Sequence, residues 1–208
     1  MLRRTLLLSA PALVAGLALP PSVRAAPAAN AEVFIMTLAN DALKTLNERL
    51  PESEIEKRFQ AMLEKDFDLP RIGRFVLGRY WASATDAEKQ EFARLFEAYV
   101  VRSYSLRFSE YSGETVKVLG SRPQSQENTI VASQIVPPDG GGPPTKVDWI
   151  VNKRGDDFKI IDVNVEGVSM SMTHRQEFAT VIEHAGGGVT ALNKALEQKL
   201  NAASTAQQ

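Results

Sequence analysis

The sequence predicts an α+β fold, an antiparallel sheet covered on one face by helices. Three observations carry this. Apolar residues recur at helical spacing as far as Phe108. From Thr115 to Val168 the period switches to strand-like alternation rich in valine, isoleucine and threonine. After Thr173 the helical period returns. Helices, then a meander of four strands, then helices is an α+β order.

Taken in order, Ile35, Leu38, Ala39, Leu43, Leu46 and Leu50 give a helix over residues 32–50, ended by Pro51. Ile55, Phe59, Met62 and Leu63 mark a second helix, and Pro70 opens a third with Ile72, Phe75 and Val76. Thr85 to Glu88 is a capping box, which starts a long helix carrying Phe92, Leu95, Phe96, Tyr99 and Val100. The strands are predicted over residues 115–119, 129–136, 146–152 and 158–168. "PPDGGGPP", residues 137–144, admits neither helix nor central strand and is read as a hairpin loop. A helix near residues 174–185 is separated by Gly186-Gly187-Gly188 from a last one bearing Val189, Leu192, Leu196 and Leu200.

The chain has 208 residues, and residues 1–25 read as a signal peptide. Arg3 and Arg4 form the basic region, residues 5–19 the apolar one, and Val23-Arg24-Ala25 the small-residue cleavage site. That apolar run is shorter than the ~20 residues of a membrane-spanning helix. The paired arginines would suit twin-arginine export, but Leu2 and Thr5 match that signal poorly, so an ordinary secretory signal is expected. The expected organisation is completed by one domain over residues 26–200 and a flexible polar tail over residues 201–208. Residues 1–25 hold Arg3, Arg4 and Arg24 and no acid, so their removal takes the formal charge from −1 to −4. Such a balance gives no footprint for nucleic acid. With no cysteine there is no disulfide, thiolate nucleophile or cysteine-ligated metal.

Catalytic patterns are missing. His174 and His184, ten residues apart, would stand about 15 Å apart along a helix and cannot share a metal. Both are read as surface residues near helix ends. Asp162 and Glu166 fall on one face of a strand about 13 Å apart, beyond the roughly 5–9.5 Å of a glycosidase pair. They are read as a solvated sheet face, one of them tied to a neighbouring turn. No catalytic residue, metal or cofactor is expected. The apolar residues are compatible both with a filled core and with one that holds a cavity.

Two stretches, "FDLPRIGRFVLGRYWASAT" from Phe67 to Thr85 and "FKIIDVNVEGVSMSMTHRQEF" from Phe158 to Phe178, resemble the MlaC family. These are periplasmic phospholipid-binding proteins, also called toluene-tolerance auxiliary components. The likeness extends over the mature chain, and within the family the hopanoid-associated branch, HpnM, is the most similar. "PPDGGGPP" departs from the pattern as a longer hairpin loop. The resemblance implies a curved, mainly antiparallel four-stranded sheet whose helices enclose an apolar pocket for acyl chains. It implies a carrier of phospholipid, or of a hopanoid. Its partners would be an inner-membrane ABC transporter with an MCE-domain protein and an outer-membrane lipoprotein complex. Carried over, the strand faces Val147/Trp149/Val151 and Ile161/Val163/Val165 compete to line the pocket. Phe75, Trp81, Phe96, Val100 and Tyr104 are the helix-side candidates, with Met170 and Met172 at the rim. Plain gap filling suits those methionines too. Arg79 and Arg175 are expected to bond carbonyls or acids structurally. The alternatives are a small pocket enzyme of isomerase or dehydratase type, using Asp148, Asp162 or Glu166 as base, and a scaffolding subunit with a filled core.

Overall fold

The computed structural model describes residues 27–48, 50–108, 111–138, 141–155 and 157–205. The expected signal peptide lies outside them. The elements are α1 (Pro27–Asn47), α2 (Glu52–Asp66), α3 (Leu69–Leu77), α4 (Tyr80–Ser83), α5 (Asp86–Phe108), β1 (Thr115–Pro123), β2 (Asn128–Val136), β3 (Thr145–Arg154), β4 (Asp157–Val165), β5 (Val168–Ser169), α6 (Met170–Ala185) and α7 (Gly188–Thr205). α7 continues through Asn201, into the stretch read from composition as a tail.

Local chemistry sets the helix ends. The Thr85 backbone N–H donates to Glu88 Oε2 at 2.8 Å, and the Glu88 N–H donates back to Thr85 Oγ1 at 3.2 Å, so the capping box is formed. Thr190 Oγ1 of α7 also donates to Glu88, at 2.6 Å. That bond, with those from Thr85, lowers the Glu88 carboxyl to about 2. α3 ends at Gly78, whose φ of 53 disfavours any side chain. An added Cβ there would stand 2.9 Å from Arg175 Nε. The glycine thus makes room for the guanidinium, which lies 5.0 Å over the Phe75 ring.

The sheet is five-stranded and antiparallel in the order β1-β2-β3-β4-β5, one strand more than the sequence predicts. The predicted strand over residues 158–168 folds back on itself. Glu166 and Gly167 take φ of 50 and 81, and Val165 pairs with Val168. Positive φ at both central residues makes a tight hairpin turn. α6 therefore starts at Met170, and Met170 and Met172 lie in its first turn. Asp162 anchors that start. It accepts from the Ser171 N–H at 3.0 Å and from Ser169 Oγ at 2.5 Å, while Ser169 caps the Met172 N–H at 3.0 Å.

Burial divides into separate cores. One belongs to the bundle of α3, α5, α6 and α7, with Val76, Leu77, Phe92, Leu95, Phe96, Phe178, Ile182 and Leu192. The other joins α1 to the sheet through Ala31, Ile35, Leu38, Val131, Val151 and Ile160. α1 packs across β1, β2 and β3, whereas α3 and α6 meet the sheet along β4. Between the halves, Phe67 bridges Ile160, and Arg154 Nη2 lies 2.5 Å from the buried Asp68 Oδ2.

Candidate functional site

The strand register unites the sheet-side candidates. Val147 faces Val165, Trp149 faces Val163 and Val151 faces Ile160. Opposed residues of an antiparallel pair share a face, so Val147, Trp149, Val151, Val163 and Val165 form one surface rather than competing ones. Ile161 does not join them. Ile150 pairs with Asp162 but Val151 with Ile160, which leaves Ile161 as an unpaired bulge. Ile160, fully buried, takes its place. From β2 the same face receives Val131, opposite Trp149.

α1 closes this face. Ile35 is fully buried against it, and Phe34 stacks on Phe158 with centroids 6.0 Å apart. Few polar groups interrupt the surface. Trp149 Nε1 donates to Ser133 Oγ at 2.9 Å, and that hydroxyl donates to the Val147 carbonyl at 3.0 Å. At the edge, Ser121 Oγ donates to Glu32 Oε1 at 2.6 Å and ties β1 to α1. Beside this core a groove of about 180 Å³ opens between α1 and α2. Ala42, Leu46, Ile55, Phe59 and Met62 form its apolar walls, and Asp41, Asp66, Arg58 and Lys65 contribute its charges.

The family described as MlaC protein matches residues 36–198. The chain belongs to the MlaC family. Among solved structures, the phospholipid-binding protein from Ralstonia solanacearum, determined at 1.53 Å in complex with a phospholipid, is similar in fold. The TM-score is 0.71 at 22% identity, over 84% of this chain and 98% of that one.

In this MlaC-family chain the helix-side candidates lie apart from the sheet face. Phe96 is packed in the bundle core, 5.5 Å from Phe92 and 6.0 Å from Phe178 between ring centroids. Trp81 and Val100 pack against the same core, with Lys89 5.4 Å over the Trp81 ring. Phe75 and Met172 are exposed. Tyr104 Oη lies 3.7 Å from Met170 Sδ and 3.2 Å from His174 Nε2.

His174 is not a surface residue. Its ring centroid lies 5.7 Å from those of Tyr99 and Phe178 and 6.3 Å from those of Phe96 and Tyr104. Burial pushes its pKa below the ordinary histidine value, against the opposing pull of Glu177. The i, i+4 spacing to Phe178 was the sequence signal for this inward face.

The candidate bases are engaged elsewhere. Asp148 lies 3.5 Å from Arg122 Nη2, Asp162 caps α6, and Glu166 Oε1 accepts from the Lys146 N–H at 2.5 Å. Of the arginines, Arg79 pairs with Glu183 at 2.5 Å and Arg175 stacks on Phe75. Among the described residues no helix is long and apolar enough to cross a membrane.

Proposed function

We propose that the chain is a periplasmic lipid carrier that receives acyl chains on the sheet face beneath α1. The observation that carries this reading is the division of the cores. The bundle buries its own apolar residues, so the sheet face depends on α1 for cover. A ligand that replaces the side chains of one helix leaves the rest of the packing in place. Membership of the MlaC family and the fold shared with a phospholipid-bound protein support it.

Magnitudes say why a carrier is needed. An exposed methylene costs about 0.8 kcal/mol in water, so a 16-carbon chain costs roughly 12 kcal/mol. The existing groove of about 180 Å³ is smaller than the roughly 300–1,000 Å³ of a ligand pocket. Loading therefore requires α1 to move off Val131, Trp149, Val151, Ile160 and Val163. Val147 and Val165 continue the same wall. Export would follow from residues 1–25, and the protein would pass lipid between an outer-membrane lipoprotein complex and an inner-membrane ABC transporter with an MCE-domain protein.

The test is mass spectrometry of organic extracts from protein purified without detergent, and again after incubation with liposomes. Phospholipid, or a hopanoid, is expected at a fixed ratio to protein. Extracts free of lipid in both preparations would sink the reading.

A further inference from the structure

The outer face of α3 and α6 carries charge and apolar surface that folding does not use. Arg71, Arg74 and Phe75 lie one turn apart on α3 and are exposed. Arg74 stands in the last turn, where the helix dipole favours a cation, but Arg71 stands in the first, where it does not. Among the described residues neither of these guanidiniums, nor that of Arg175, forms an ion pair. The acids of α6 and of the α3 N-cap are engaged, Glu177 with His174, Glu183 with Arg79 and Asp68 with Arg154. A chain whose formal charge is −4 without residues 1–25 thus gathers positive charge on one face. Apolar side chains stand among these arginines. Phe75 is 38% exposed with the Arg175 guanidinium 5.0 Å over its ring, and Met172, one turn before Arg175 on α6, is 42% exposed. Val168, on the strand that leads into α6, is 54% exposed. It pairs with Val165 and so shares its face, which brings the proposed acyl-chain wall to the surface here.

We propose that this face docks the carrier on the surface of an anionic phospholipid bilayer. The proposal rests on the carrier reading. Lipid phosphates accept guanidiniums in a bidentate manner, and the hydrocarbon boundary beneath them receives apolar side chains such as Phe75, Met172 and Val168. A bilayer offers both at every lateral position, so no fixed register is needed. An acidic protein would have to place carboxylates opposite three arginines and a pocket over Phe75, whose ring already has Arg175 on one side. Docked in this way, the protein sets Val165 and Val168 toward the layer that the acyl chains leave or enter.

The experiment is sedimentation of the mature protein with vesicles of phosphatidylglycerol mixed into phosphatidylcholine, and with vesicles of phosphatidylcholine alone. The protein should sediment with the mixed vesicles only, and added salt should release it. An arginine near an anionic surface is worth about fivefold in affinity, so Arg71→Gln/Arg74→Gln should bind roughly 25-fold more weakly. Lys44→Gln/Lys117→Gln makes the same change of net charge on α1 and β1, and should bind as the wild type. If the arginine variant misfolds, phenylglyoxal labelling of the unaltered protein decides the matter. Mixed vesicles should shield Arg71 and Arg74 and leave Arg122 of β1 reactive. Sedimentation with neither vesicle or equally with both, an equal loss in the lysine variant, wild-type binding by Arg71→Gln/Arg74→Gln, or unshielded Arg71 and Arg74 would each overturn the docking face. Lipid in organic extracts of the same protein would then leave the carrier reading intact. Extracts free of lipid would overturn the carrier reading, and the docking face with it.

Discussion

His174 shows how a residue's role follows from what surrounds it. Its imidazole faces Phe96, Tyr99 and Tyr104 of α5, Glu177 and Phe178 of α6, and lies within the field of Lys199 on α7. The neutral ring fits this aromatic setting, and the charged ring must give up water to stay there. Because the folded pKa is depressed, the contribution to stability is complete above the unfolded value of about 6.5 and is lost as pH falls through the folded pKa. Below about 6.5 the unfolded chain takes a proton that the folded chain refuses. Urea unfolding from about pH 7.5 to about pH 5 should show midpoints that fall with acid. His174→Phe, which can keep the stack on Phe178, should flatten that fall. Parallel profiles for the two proteins would refute the assignment.

At the scale of elements, legibility tracked the range of the forces involved. The capping box at Thr85 and Glu88 acts within a single turn, so sequence located the start of α5. The bulge at Ile161 did not announce itself, because Ile160 and Ile161 are equally apolar and only the partner strand decides which is paired. The hairpin before α6 was hidden by Glu166, a residue type that seldom takes positive φ. Periodicity marked Ile35 and Leu38 as one face of a helix without saying that this face meets a sheet. On the proposed carrier reading, that meeting is what a lipid disturbs. Hydrogen exchange should find the α1 amides around Ile35 and Leu38 changed in protection when lysophospholipid is loaded. The α5 amides around Phe92 and Phe96, in the other core, should stay as they were. Unchanged exchange in α1 at saturation would exclude its displacement.

At the scale of the molecule, the separate cores are tied to each other by contacts between the bundle and the sheet. The Phe67–Ile160 bridge and the Asp162 cap of α6 bind the bundle to β4, and the Asp68–Arg154 ion pair binds it to the end of β3. The Phe67 to Thr85 and Phe158 to Phe178 stretches contribute every residue of that junction except Arg154. A ligand bound only by the folded sheet face therefore stabilises the whole cooperative unit. At a free lipid concentration of about 100 times Kd the gain is about 2.7 kcal/mol. For a chain of this size each kcal/mol moves Tm by about 2–4 °C. Scanning calorimetry of delipidated protein should thus show a single transition that rises by roughly 5–11 °C on loading. A second transition that ignores lipid would mean that the bundle melts independently of the sheet. No shift in any transition at saturating lipid would mean that the sheet face is filled by α1 in the working protein and is not where the chains go.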